Sequence, residues 1–181
     1  MNEIVRTVAC APWPVPAAQS DLWLAWAADG RLTHALWTPA GVRPDELRAE
    51  LPHAEPPAQV AELLAAYFAG APVDPVSLPV APAGSPFQLR VWQALRGVRR
   101  GHVRSYAGIA ADIQQPRAMR AVGMANGRNP IAVVIPCHRV VEKDFSIGGY
   151  SSGLPLKRFL LSLEGVDVVG DVVRPGQLTL I

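Results

Sequence analysis

Ser105-Tyr106-Ala107-Gly108-Ile109-Ala110-Ala111-Asp112-Ile113-Gln114-Gln115-Pro116-Arg117-Ala118-Met119-Arg120-Ala121-Val122-Gly123-Met124-Ala125-Asn126-Gly127 decides the architecture of the second half of the chain. The Ser105 hydroxyl can accept from an orphan N–H of a first turn, so a short helix is predicted from there through Ile113. Beyond Gln114-Gln115, Pro116 suits the first position of a second helix, predicted to run to about Asn126 and to stop at Gly127. Two short helices about a brief turn make a helix-turn-helix. Such a unit serves DNA binding in some proteins and plain helical packing in others, and spacing alone does not choose. Upstream, Ser85-Pro86 reads as an N-cap with proline behind it, and Phe87, Val91, Trp92 and Leu95 trace the apolar face of another helix.

Further out, Ala69 to Ser85 carries repeated proline, which forbids a continuous helix or central strand. Charge changes sign across it. Residues 1–84 hold 4 Lys+Arg against 9 Asp+Glu, and residues 85–165 hold 12 against 4. These changes predict an N-terminal α/β domain over 1–70, a Pro-rich linker over 71–85 and a mostly helical domain over 86–181. In the first, Leu22 to Ala28 and Leu32 to Trp37 read as two strands about a tight Asp29-Gly30 turn, and Ala58 to Phe68 as a helix packed on them. His34 and His53 lack clustered partners there, and Trp13, Trp23, Trp26 and Trp37 are assigned to the core. The arginines of the basic region, among them Arg90, Arg96, Arg99, Arg100, Arg104, Arg117, Arg120, Arg128 and Arg139, suit a polyanion or, equally, a solubilising surface.

With 181 residues, half of them apolar, the chain can bury one ordinary core or two small ones. Met1 to Arg6 lack the pattern of a signal peptide and no apolar run approaches a membrane span, which predicts a cytoplasmic protein with no membrane partner. Two cysteines, Cys10 and Cys137, fall short of a structural zinc site and point to reduced thiols.

The reactive segment follows the helix-turn-helix. Asn129-Pro130 leads into the apolar run Ile131 to Ile135, and this delivers Pro136-Cys137-His138-Arg139-Val140. Neighbouring side chains diverge, so His138 would need a bridging water to act on the Cys137 thiol. A buried cysteine is otherwise inert packing. The longer string is far more specific. Ser85-Pro86-Phe87-Gln88 with Val91-Trp92, Ser105-Tyr106, Arg120-Ala121-Val122-Gly123, Asn126 to Pro130, Pro136 to Val140, Gly149-Tyr150, Leu160-Leu161 and Glu164-Gly165 together resemble the O6-alkylguanine-DNA alkyltransferases, also called methylated-DNA–protein-cysteine methyltransferases. The likeness spans about Ser85 to Gly165. The N-terminal half is only weakly similar, to the family's small ribonuclease-H-like sheet.

The resemblance implies direct, single-turnover transfer of an alkyl group from O6-alkylguanine in double-stranded DNA to Cys137, by a monomer that needs no cofactor and no metal, with O4-alkylthymine as a further substrate. Cys137 would attack the alkyl carbon, His138 would act as base through a water, and Glu164 would hold the imidazole tautomer. Tyr106 would donate toward N3 of guanine and Ser151 toward O6, and Asn129 would be the hinge between recognition helix and reactive segment. A winged-helix-like unit would enter the minor groove, Arg120 filling the gap left by a flipped nucleotide, with Ser105, Arg104 and Arg128 on the backbone. Tyr150, Val140 and Pro130 would belong to the substrate pocket. Lys157 would support the pocket loop, or else stand on a solvated helix face.

Three residues depart from the family pattern: Gln114 stands where a turn glycine is common, Phe145 where another is usual, and Ser152 where the pocket loop often has glycine. Two other functions compete. A damage-binding protein of the same family flips the base but lacks the acceptor, against which Cys137 argues. A cysteine hydrolase or redox protein would need an oxyanion hole or a resolving thiol, and Cys10 lies in the other domain.

Overall fold

The computed structural model describes residues 5–47 and 51–174; of the Met1 to Arg6 segment read above, Met1 to Ile4 lie outside them. The chain divides into two compact units, 1–83 with 130–134, and 84–129 with 135–181.

The first unit is a three-stranded antiparallel sheet, β1 (Thr7–Val15), β2 (Ser20–Ala27) and β3 (Leu32–Pro39), in that order, with α1 (Ala58–Phe68). β2 is central, and every residue after Ser20 in it is buried. β2 and β3 meet at the Asp29-Gly30 turn, where Gly30 takes φ +82° and donates to the Ala27 carbonyl at 2.9 Å. β1 is a strand the sequence did not announce, because Pro12 and Pro14 interrupt its pattern; proline is admitted on this edge strand, whose outer side is bridged at Cys10, which donates to Pro52 and accepts from Ala54. α1 buries Val60, Leu64 and Tyr67, one face at helical spacing. Trp23 and Trp26 are buried, and Trp13 and Trp37 partly so.

Domain boundaries differ from the sequence reading. Leu32 donates to Pro79 and accepts from Ala81, and Ala35 donates to Pro130 and accepts from Ala132. Residues 79–81 and 130–132 thus cover the outer edge of β3, which would otherwise present unpaired backbone groups. Part of the expected linker and part of the expected second domain belong to this sheet, and Pro75 and Leu78 are buried.

The second unit contains α2 (Pro86–Arg96), α3 (Tyr106–Asp112), α4 (Met119–Gly127) and α5 (Leu154–Leu163), with two-residue strands β4 (Arg104–Ser105) and β5 (Val140–Val141) in parallel, and β6 (Val168–Val169) and β7 (Val172–Val173) antiparallel. α2 opens with a capping box, Ser85 Oγ accepting from Gln88 N–H and Gln88 Oε1 from Ser85 N–H. Its Trp92 donates from Nε1 to the Ala125 carbonyl of α4 at 2.9 Å. Ser105 caps α3, accepting from Gly108 N–H at 3.0 Å.

α4 starts at Met119, three residues after Pro116, because Ala118 N–H first closes a tight turn onto Gln115 before the i+4 ladder begins at Val122. Gly127 is the last helical residue. α3 ends in a Schellman motif: Gln115 N–H bonds Ala110 and Gln114 N–H bonds Ala111, which drives Gln114 to φ +59°. A left-handed backbone disfavours any side chain. Gln114→Gly is therefore expected to raise stability by about 1 kcal/mol, read as a melting temperature roughly 3 °C higher; an unchanged or lower value would contradict the strain argument. Phe145 adopts φ +68°, so two of the family departures sit where glycine would relieve the backbone.

Candidate active site

Local rules bring the reactive groups together. α5 also ends in a Schellman motif, with Val166 N–H on Leu161 and Gly165, at φ +82°, on Ser162. Val166 and Leu161 then share one apolar cluster with Val103, Val141 and Ile147. This anchors Glu164 as the C-cap residue, with its carboxylate buried.

Cys137, His138 and Arg139 form a single 3-10 turn leading into β5, and all three are buried. His138 Nε2 meets Glu164 Oε1 at 3.0 Å. A carboxylate only accepts, so Nε2 carries the proton and Nδ1 keeps its lone pair. Nδ1 has no hydrogen-bond partner among the described residues. Burial pushes the imidazole pKa down more than the Glu164 charge raises it, so His138 is neutral. Burial also pushes the Glu164 carboxyl up, but His138 and Arg139 more than reverse this and hold it well below the usual carboxylate range.

Arg139 corrects the sequence reading, which had counted it in the basic surface. It is 0% exposed, donates from Nε and Nη2 to Glu164 at 2.8 Å each, and from Nη1 to the Val98 carbonyl at 2.6 Å. A buried guanidinium requires such partners.

The Cys137 sulfur accepts from Asn129 Nδ2 at 3.0 Å, and the same amide reaches the Ile135 carbonyl at 2.7 Å. Asn126, part of the Asn126 to Pro130 motif but given no role from sequence, donates to the Cys137 carbonyl at 3.4 Å. It could have been noticed as a poor helix former on the buried face of α4. Burial pushes the Cys137 thiol up, against the hydrogen bond from Asn129 and the charge of Lys157. The thiol is protonated at rest. Cys10 is also free and buried.

A cavity of about 200 Å³ is walled by Tyr106, Gly123, Asn126, Gly127, Gly149, Tyr150 and Ser151, and one of these, Asn126, bonds the Cys137 carbonyl. Ser105 starts α3 immediately before Tyr106, which sets the phenol toward this space. Burial raises the Tyr106 pKa, with the Glu142 and Cys137 charges adding to it, so it remains a proton donor. Lys157 is fully buried rather than solvated. Its ammonium donates to the carbonyls of Val140, at 2.6 Å, Ile147, and Gly149, at 3.4 Å, pinning the loop that bears Tyr150 and Ser151.

Other expected residues lie apart. Arg120 and Arg128 are exposed on and just after α4. Arg104 is held by Asp112 through two hydrogen bonds, 3.1 and 2.7 Å. Pro130 sits in the first unit, and Ser152 is exposed on the pocket loop.

Residues 86–166 match the family model described as 6-O-methylguanine DNA methyltransferase, DNA binding domain. The chain is similar to the methylated-DNA–protein-cysteine methyltransferase of Methanosarcina barkeri, 51% identical over 59% of this chain and 66% of that protein, so the match spans just under two thirds of the relative. It is also similar to the constitutive one of Bacillus subtilis, 45% identical over 64% of this chain and 71% of the relative. A crystal structure of Mycobacterium tuberculosis OGT in complex with DNA superposes with a TM-score of 0.72 at 35% identity, over 88% of this chain and 92% of that one. With its buried Pro-Cys-His-Arg-Val turn, and with these likenesses extending through both units, the chain belongs to the methylated-DNA–protein-cysteine methyltransferase family.

Proposed function

We propose that the chain repairs DNA by moving the alkyl group of O6-alkylguanine onto its own Cys137. One observation carries the reading: a buried thiol is followed directly by a buried neutral imidazole whose Nε2 faces an ionised carboxylate and whose Nδ1 keeps its lone pair. In the reaction the Cys137 sulfur attacks the alkyl carbon as the carbon–O6 bond breaks. The thiol proton passes through a water to His138 Nδ1, leaving imidazolium paired with Glu164. The electron pair of the broken bond goes to guanine O6, where Ser151 donates, while Tyr106 donates toward N3. The product is a thioether, which nothing near it can cleave, so each molecule acts once.

The reading also takes α3 and α4 as a helix-turn-helix of winged-helix type, whose second helix enters the minor groove with Arg120 in the gap of the flipped nucleotide. Arg128 and Ser105 lie on the backbone, and Arg104 joins them on release from Asp112. Tyr150 packs on the flipped base. The first unit is taken as ribonuclease-H-like, and the chain as a cytoplasmic monomer. No described helix is long and apolar enough to cross a membrane.

Two results test this. With excess duplex carrying O6-methylguanine, transfer should plateau at one methyl per protein molecule; continued turnover, or none, would overturn it. The rate should stay level as pH falls through 6.5, because burial lowers the His138 pKa, and decline only at more acid pH. A loss of rate on acidification centred at pH 6.5, which persists in the Lys157→Met variant, would remove His138 as the base.

A further inference from the structure

α4 has two faces. Val122, Ala125 and Asn126 are buried, while Met119, Arg120, Gly123, Met124 and Gly127 recur at helical spacing on the other side. Gly123 and Gly127 line the cavity, so this outer face leads into it. Met119 is 47% and Met124 62% exposed. Single exposed apolar residues are ordinary, but these two bracket Arg120, one directly before it and one a helical turn beyond. The surrounding sequence, with 12 Lys+Arg against 4 Asp+Glu over 85–165, would ordinarily place polar residues there.

Phosphates account for the arginines and not for the methionines. Long, flexible thioether side chains gain by packing on deoxyribose and on the edges of base pairs, and they adapt to any sequence. Glycine at 123 and 127 removes side-chain bulk from the same face, so a backbone or sugar can approach closely. Proteins that enter the minor groove use apolar wedges of this kind to hold steps unstacked.

We propose that Met119 and Met124 form an apolar wedge that presses into the minor groove on either side of Arg120 and holds the duplex open while the damaged nucleotide occupies the cavity. The inference rests on the DNA-repair reading above. In the M119A/M124A variant, single-turnover transfer from duplex O6-methylguanine should slow about tenfold or more. Transfer from the free base O6-methylguanine should be unchanged, and M119L/M124L should restore the duplex rate. An undiminished duplex rate would overturn the wedge, as would an equal loss on both substrates, which would put the effect in the cavity. Unstacking is read separately by 2-aminopurine next to the lesion. Its fluorescence should rise several-fold less with M119A/M124A than with the unaltered chain, and equal rises would overturn the wedge whatever the transfer assay returns. Loss of transfer by the unaltered chain on both substrates, with the fluorescence difference intact, would remove the alkyl-transfer reading and leave the wedge standing.

Discussion

Glu164→Gln lowers folding free energy by about 3–5 kcal/mol and slows alkyl transfer by about a hundredfold or more. The stability loss follows from Arg139, whose guanidinium is wholly buried and faces this carboxylate at 2.8 Å through two nitrogens. Neutralising the partner strands a charge where water cannot reach it. The rate loss follows from the role proposed for His138, whose imidazolium would lose its counter-charge. The pair also sets acid behaviour. Because the folded carboxyl titrates well below its unfolded value, its stabilisation is complete above the unfolded pKa and is lost as pH falls toward the folded one. Denaturant titrations at pH 7 and pH 4 would measure this. A variant with unchanged midpoint at pH 7 would refute the role given to the pair.

Lys157→Met is expected to cost about 3 kcal/mol and to weaken transfer, although it preserves length and apolar volume. The native ammonium donates to three carbonyls, of Val140, Ile147 and Gly149, and methionine leaves the buried two, of Val140 and Ile147, dry. The loop bearing Tyr150 and Ser151 loses its anchor. Burial also lowers the Lys157 pKa to about 8, against the raising effect of Cys137 and Glu142. Between that value and the ordinary 10.5, the unfolded chain holds a proton the folded chain has released, so this group makes stability rise with pH across that window, by up to about 3 kcal/mol. Lys157→Met should lack the rise. A rise of the same size in the variant would assign it to another group.

Capping chemistry made much of the second unit legible: Ser85 and Ser105 each stand at a helix start and bond as their positions require. The apolar spacing of Val60, Leu64 and Tyr67 did the same for α1. What escaped was long-range. The proline-bearing β1 exists because β2 offers it a ladder, and residues 79–81 and 130–132 join β3 through backbone bonds that no side-chain pattern encodes. Within the site, Cys137, His138 and Glu164 could be named from motifs, but the burial of Arg139 and Lys157 could not. Both look like surface charges in sequence and become buried donors only where Glu164 and the loop carbonyls meet them.

The most direct test of the account is the mass of the intact protein and of its Cys137 peptide after incubation with duplex DNA bearing one O6-methylguanine, beside Cys137→Ala. A single added methyl is expected, located on Cys137, never exceeding one per molecule and absent from the variant. An unmodified Cys137 peptide despite tight binding to the damaged duplex would contradict it, and would make the chain a sensor of alkylated DNA instead of its acceptor.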